Sequence, residues 1–413
     1  MQRRNSATTG PNRSRGSFRE IRDAFILRRC RETFRNLDVG RLEITMPSGI
    51  TAVVFEGRPD AACNTHLILK NYGIFWRSLR RGTVGFAASY LDGQFEVNDL
   101  RNVFRFFLCN KAALKRAGRG WFQARLLDKA AHRRRANTRK GSRRNIAAHY
   151  DLGNDFYRCW LDEGMTYSSA LYQGDIPLEQ AQADKYQLMV DLLDLQSGTS
   201  LLEIGCGWGG MAESAARAGA QVRAITISQE QLRYARQRLN NAGLSPQASV
   251  EFVDYRDVDG EFDRIASIEM IEAVGQENWQ TYFDTLSQRL KAGGRAAIQA
   301  ITIDPDMFND YARSPDFIQR FIFPGGVLPT EAIMERCANA AGLQLSRVER
   351  FGASYARTLA EWRRRFVEAW PRLEGMGFDQ RFRRMWLYYL TYCEVGFEQS
   401  TTNVGIYLFA KPA

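Results

Sequence analysis

The sequence predicts a doubly wound α/β sheet with a smaller α+β module on its N-terminal side, and three observations carry that prediction. From Arg144 onward, apolar strand-like runs alternate with helical stretches, the pattern of a largely parallel sheet with helical crossovers. One apolar run, Leu201–Ile204, feeds straight into a turn with glycine at 205, 207, 209 and 210, as in strand-to-helix turns that meet a ligand. The length of 413 residues, 45% of them hydrophobic, exceeds what one core usually holds.

Taken in order, residues 1–20 read as a disordered tail, basic and polar, with no apolar stretch behind the charges to make a secretory signal. Residues 21–110 form the small module. Strand pieces are expected over Arg41–Phe55 around a Pro-Ser-Gly turn, at Thr65–Lys70 and near Phe75, and a helical stretch is expected to end at Cys109. Residues 111–144 carry thirteen Lys or Arg against one acid, Asp128, with Trp121, Phe122, Leu126 and Leu127 among them. Two readings fit this run: a solvated basic linker, or an amphipathic segment lying on an anionic membrane surface.

The main domain spans residues 145–413. Its expected strands are Ser200–Ile204, Gln221–Ile227, Val250–Asp254, Phe262–Ile268, Arg295–Ile303 and a late Asn403–Lys411. Helices are expected over Gly209–Ala218, Gln229–Asn240 and Asn278–Leu290.

Composition narrows the function. Seven cysteines without a CxxC pair and only three histidines speak against a zinc site, a disulfide framework or a histidine-driven mechanism, and no metal is expected. No apolar run reaches the ~18 residues that span a bilayer. The net charge of +11 calls for an anionic partner: lipid, nucleic acid or a small anion.

The glycine turn is sharpened by Glu203 before it, in an acid-x-G-x-G arrangement whose carboxylate can accept from a cofactor's hydroxyl or amino groups, and by the absence of a basic residue that would meet a pyrophosphate. Thr226, Ile227 and Ser228 close the second strand, with Gln231 one turn into the next helix, where a ribose site lies in such sheets. Asp254-Tyr255-Arg256-Asp257 closes the third, where an adenine ring would rest.

Together with HYDLGNDFY (His149–Tyr157), MTYSSALY (Met165–Tyr172), IEMIEAVG (Ile268–Gly275), FIFPGG (Phe321–Gly326) and FGASYARTLAEW (Phe351–Trp362), these motifs resemble the cyclopropane-fatty-acyl-phospholipid synthase family from about residue 40 to the end. The resemblance implies a class I, Rossmann-like methyltransferase sheet. It implies S-adenosylmethionine held by Tyr167, Ser168, Gly205, Gly207, Thr226, Ile227, Gln231, Tyr255 and Arg256. It further implies a bicarbonate held by a glutamate and a tyrosine, matched by Glu272 and Tyr355. Ser169 and Gln299 stand where many members carry a cysteine and a histidine, and Ala273 follows Glu272 where bacterial members often have histidine.

The expected activity is methyl transfer to the double bond of an unsaturated phospholipid acyl chain with closure to a cyclopropane. The alternatives are a methyl- or methylene-branched (or furan-precursor) product without ring closure, a soluble-amine N-methyltransferase, or a non-catalytic lipid-binding protein. Expected partners are an anionic phospholipid membrane surface, as a cytoplasmic protein held at its inner face, and the acyl chain itself; a homodimer stays open. No base-methylating N/D-P-P-Y motif occurs, so nucleic acid is not an expected partner. Aromatic residues gathered at 307–323, 359–370 and 385–397 fit either core packing or an acyl tunnel.

Overall fold

The computed structural model describes residues 18–117, 152–314 and 316–413. They form two units, a smaller one of residues 18–74 and 93–117 and a larger one of the rest. The basic run from residue 118 to 144, with Trp121 and Phe122, lies outside the described residues, as does His149.

In the smaller unit, β1 (Arg41–Thr45), β2 (Thr51–Glu56), β3 (Asn64–Leu69) and β4 (Phe95–Val97) make a sheet in the order β2-β1-β3-β4. β1 and β2 pair antiparallel across the Pro-Ser-Gly turn, where Gly49 supplies φ 90°. The helix Leu100–Cys109 is capped by Asp99, which accepts from the Arg101 amide at 2.8 Å, and it buries Val103, Phe104 and Phe106. A helix already begins at Phe18, inside the stretch expected as a tail. Residues near Phe75 are not a strand but part of a helix, Gly73–Leu91, broken at Gly82 with φ 56°. Val84, Ala87, Ala88 and Leu91 recur on its buried side at helical spacing. From residue 75 to 92 that helix belongs to the larger unit, because its partners, such as Tyr388 against Tyr90 at 5.7 Å between ring centres, lie there.

The larger unit holds seven strands: β5 (Ser200–Ile204), β6 (Gln221–Thr226), β7 (Ala248–Phe252), β8 (Phe262–Ile268), β9 (Leu290–Ile303), β10 (Gln344–Arg350) and β11 (Thr402–Ala410). Their order is β10-β11-β9-β8-β5-β6-β7, parallel from β9 through β7, with β11 antiparallel to both β9 and β10. β10 has no counterpart among the expected strands. This is a class I methyltransferase sheet, with the α+β subdomain in addition.

Strand residues Leu202, Ile204, Ile265, Ile298 and Ala300 pack against Tyr282, Phe283 and Leu286 of the helix Trp279–Arg289. On the C-terminal side the helices Gly352–Glu368 and Gln380–Glu398 pack on each other and are tied by Arg363 to the nearly fully buried Glu394 at 2.7 Å. The chain runs outward from β5 to β7 and then returns to lay β8 against the other side of β5. The crevice at the carboxyl ends of β5 and β8 is therefore the switch point where such sheets bind ligands.

Candidate active site

The β5 turn is built as the sequence implies. Gly205, Gly207 and Gly209 have φ of 81°, 53° and 85°, a left-handed backbone that side chains resist. A Cβ on Gly207 would meet nothing within 4 Å, so space opens beside the loop. Glu203, 3% exposed, accepts from the Ala212 amide, yet its Oε2 has no hydrogen-bond partner among the described residues. Burial pushes its carboxyl up to about 8. An enclosed carboxylate oxygen without a donor is what a cofactor hydroxyl or amine would satisfy.

At the end of β6, Thr226 Oγ1 donates to Gln231 Oε1 at 3.0 Å, and Ser228 caps the following helix by accepting from the Gln231 amide at 3.3 Å. Ile227 lies between them. After β7, Arg256 is clamped to Asp254 through Nε and Nη2 at 2.8 and 2.7 Å. Tyr255 is buried, with no partner for its hydroxyl among the described residues. These groups flank one crevice and fit S-adenosylmethionine. When bound, that molecule supplies an electrophilic methyl on a cationic sulfur.

Beyond β8 the arrangement departs from expectation. The side chain that gathers Ser169, Gln299 and Tyr355 is Glu269, not Glu272. Glu269 Oε1 accepts from the Ser169 amide and from Gln299 Nε2, both at 2.8 Å, and Oε2 accepts from the Tyr355 hydroxyl at 2.7 Å. The ladder explains the pairing: Ile268 lies opposite Gln299 in β9, and the Glu269 amide continues it with a 2.8 Å bond to the Gln299 carbonyl. Glu269 also has φ 49°, and a left-handed backbone costs an ordinary L-residue roughly 1–2 kcal/mol. Burial raises its carboxyl above the ordinary value, opposed by the three donors and by Lys185.

Glu272 instead accepts from the Ile301 amide at 2.5 Å, while its Oε2 is enclosed without a partner among the described residues. Burial and the neighbouring Glu269 push it up to about 8.

The Ser169 hydroxyl turns away to donate to the Ala170 carbonyl at 2.9 Å, so this residue reaches Glu269 through its backbone. The Ser168 hydroxyl accepts from Lys185 Nζ at 2.9 Å. Lys185 is fully buried, and desolvation lowers it to about 8 while Glu269, Asp162 and Glu203 pull it up. It was not among the expected site residues; only its solitary place on the buried face of the helix Leu178–Leu193 hinted at it.

The loop bearing these residues is pinned to the helix Gly352–Glu368 by the Ala170 amide on Thr358 Oγ1 at 3.2 Å and the Tyr172 amide on Ser354 Oγ at 3.0 Å. Around Glu269 and Tyr355 the walls are aromatic. Trp362 packs on Tyr355 and Tyr167 with ring centres 6.1 and 5.3 Å apart, and Phe397 packs on Tyr355 at 4.5 Å. Tyr389 meets the Tyr167 hydroxyl at 2.9 Å and the Phe323 ring at 6.1 Å. Of the aromatic group at 307–323, Phe308 and Tyr311 pack against the sheet core.

A bicarbonate does not fit this cluster. The Ser169 amide, Gln299 Nε2 and the Tyr355 hydroxyl are the donors it would need, and each already serves Glu269.

A class I sheet with a glycine-turn crevice and a buried acidic cluster at its switch point defines an S-adenosylmethionine-dependent methyltransferase. Residues 137–406 match the mycolic acid cyclopropane synthetase family, and the chain belongs to that family. It is 38% identical over 334 residues to a tuberculostearic acid methyltransferase of Mycobacterium tuberculosis, covering 79% of this chain and 78% of that one. It is 33% identical to the cyclopropane-fatty-acyl-phospholipid synthase of Escherichia coli K12, covering 83% of this chain and 87% of that one. Among solved structures it resembles a mycolic acid cyclopropane synthase complexed with SAH and CTAB, at a TM-score of 0.61 and 30% identity over 65% of this chain and 98% of that one.

Proposed function

We propose that the enzyme transfers the methyl of S-adenosylmethionine to a double-bond carbon of an unsaturated phospholipid acyl chain, giving a methylene-branched chain without closing a ring. The observation that carries this reading is the site itself: an acidic cluster walled by Tyr167, Tyr355, Trp362 and Phe397. An isolated alkene has no charge or hydrogen-bonding group to grip, so it suits an apolar wall. The cation left after methyl transfer is stabilised by ring faces and by a carboxylate.

The 38%-identical relative named for tuberculostearic acid supports an acyl substrate and moves the balance from ring closure, the first expectation from sequence, to branching. Ring closure stays as a second reading, favoured by the name of the Escherichia coli relative. Methyl-cation gain followed by proton loss conserves the oxidation level of the chain. A saturated methyl branch therefore requires a separate reaction that reduces this product with a hydride donor.

A phospholipid substrate is supported by a cleft of about 510 Å³ in the larger unit, where Arg77, Arg80, Arg81, Arg320 and Arg381 face one acid, Asp92, beside Trp76 and Phe321. Trp76 is 64% exposed, and an exposed indole among arginines suits a lipid headgroup interface. Among the described residues no helix is long and apolar enough to cross a membrane. With this cleft at a headgroup layer, the acyl chain is taken from a membrane surface.

Incubation with S-adenosylmethionine and vesicles of mono-unsaturated phosphatidylglycerol, followed by mass spectrometry and proton NMR of the acyl chains, tests the proposal. A gain of one CH₂ with exo-methylene proton signals is expected. Cyclopropane signals would move the assignment to the second reading, and an unchanged acyl pool with methylated amines would overturn both.

A further inference from the structure

We infer that Glu269 is the reaction's own basic anion, built into the chain where a separate bicarbonate was expected. The inference rests on the acyl C-methyltransferase reading. Three donors from three separate elements converge on one carboxylate: the backbone of the loop before Ala170, a β9 amide side chain and a phenol from the helix Gly352–Glu368. Convergence of that kind is an anion-binding site, and its occupant is covalently attached.

The backbone points the same way. Glu269 has φ 49°, a conformation in which glycine is unstrained and glutamate is not. A strained glutamate that reaches back to three donors is held for its carboxylate. Both of its oxygens are held, Oε1 by two donors and Oε2 by one. Glu272, three residues on, gathers no such set: one oxygen meets the Ile301 amide and the other has no partner among the described residues.

The step balances without a further reactant. The alkene's electron pair forms the new carbon–carbon bond as the sulfonium carbon–sulfur bond breaks, leaving the neighbouring carbon cationic. A hydride shift moves the cation to the methyl-bearing carbon. Glu269 then takes a proton from that methyl, and the C–H electron pair becomes the double bond. The proton passes from Glu269 to water once the product has left.

The test compares methyl transfer to mono-unsaturated phosphatidylglycerol vesicles in buffer purged of carbon dioxide and in buffer with added bicarbonate. Wild-type rates agreeing within about twofold are expected. Glu269→Gly is expected to fall about 10²–10⁴-fold, as for loss of a general base, and to recover at least about tenfold on addition of formate or bicarbonate. Glu269→Gln, which keeps the volume and blocks the space, is expected to fall equally and not to recover. Calorimetric binding of S-adenosylmethionine by both variants shows that the fold is intact. A wild-type enzyme that depends on bicarbonate, or a Glu269→Gln enzyme at wild-type rate, overturns the assignment. A wild-type enzyme that alkylates no acyl chain under either condition overturns the proposed function instead.

Discussion

Two strand-to-helix turns meet at the switch point, and they solve the same geometric problem in opposite ways. After β5 the chain turns left-handed three times, each time with a glycine; after β8 it turns left-handed once, with a glutamate. They touch, since a Cβ on Gly205 would lie 3.0 Å from Met270 Cγ. The first turn removes side chains so that a ligand can approach the backbone. The second accepts strain so that one side chain can stand in the crevice. The same φ sign thus marks a binding surface in one place and a reacting group in the other.

The largest effect expected from breaking this contrast comes from Glu269→Gln. Turnover should drop about 10²–10⁴-fold, with S-adenosylmethionine affinity by calorimetry changed no more than a few-fold. Loss of both together would mean that the second turn also belongs to the cofactor surface. Gly205→Val attacks the first turn, adding a Cβ at φ 81° against Met270. Strain of about 1–3 kcal/mol predicts a roughly 5- to 150-fold loss of cofactor affinity; unchanged calorimetry would deny this loop its ligand.

Glu272→Gln separates the two glutamates by pH. In the folded protein Glu272 titrates at about 8 against an ordinary 4.5, so between those values folding must take up a proton and stability falls as pH rises. The variant lacks this loss. Its melting temperature should match wild type near pH 4 and exceed it by a few degrees near pH 8, and a gap that shrinks with rising pH would contradict the assignment. The smallest effect is expected for Ser169→Ala: among the described residues its hydroxyl serves only the Ala170 carbonyl, while its amide holds Glu269. Turnover should stay within about threefold, and a hundredfold loss would show that the hydroxyl acts in the site.

The contrast also explains what was legible in the sequence. Glycines, strand runs and the Ser228 cap leave local signatures, so β5, β6, β7, β8, β9 and β11 and the three helices between them were readable within a few residues. β10 was not, because QLSRVER is an edge strand with four charged or amide side chains and little burial. The motif IEMIEAVG shows two glutamates three apart, and nothing local says which one faces Ser169, Gln299 and Tyr355. That choice is made by the register of β8 on β9 and by a positive φ at a residue that does not advertise it. The helix Gly73–Leu91 escaped because Gly82, where it kinks, interrupts the helical pattern midway.

The proposed step is transfer of a methyl carbon to an acyl chain through Glu269. S-adenosylmethionine carrying ¹³C in its methyl, incubated with wild type or Glu269→Gln and mono-unsaturated phosphatidylglycerol vesicles, tests it most directly by ¹³C NMR of the extracted lipid. An olefinic CH₂ signal is expected from wild type and none from the variant, which still binds the cofactor. Label found on the headgroup, or an equal acyl signal from both proteins, would contradict it.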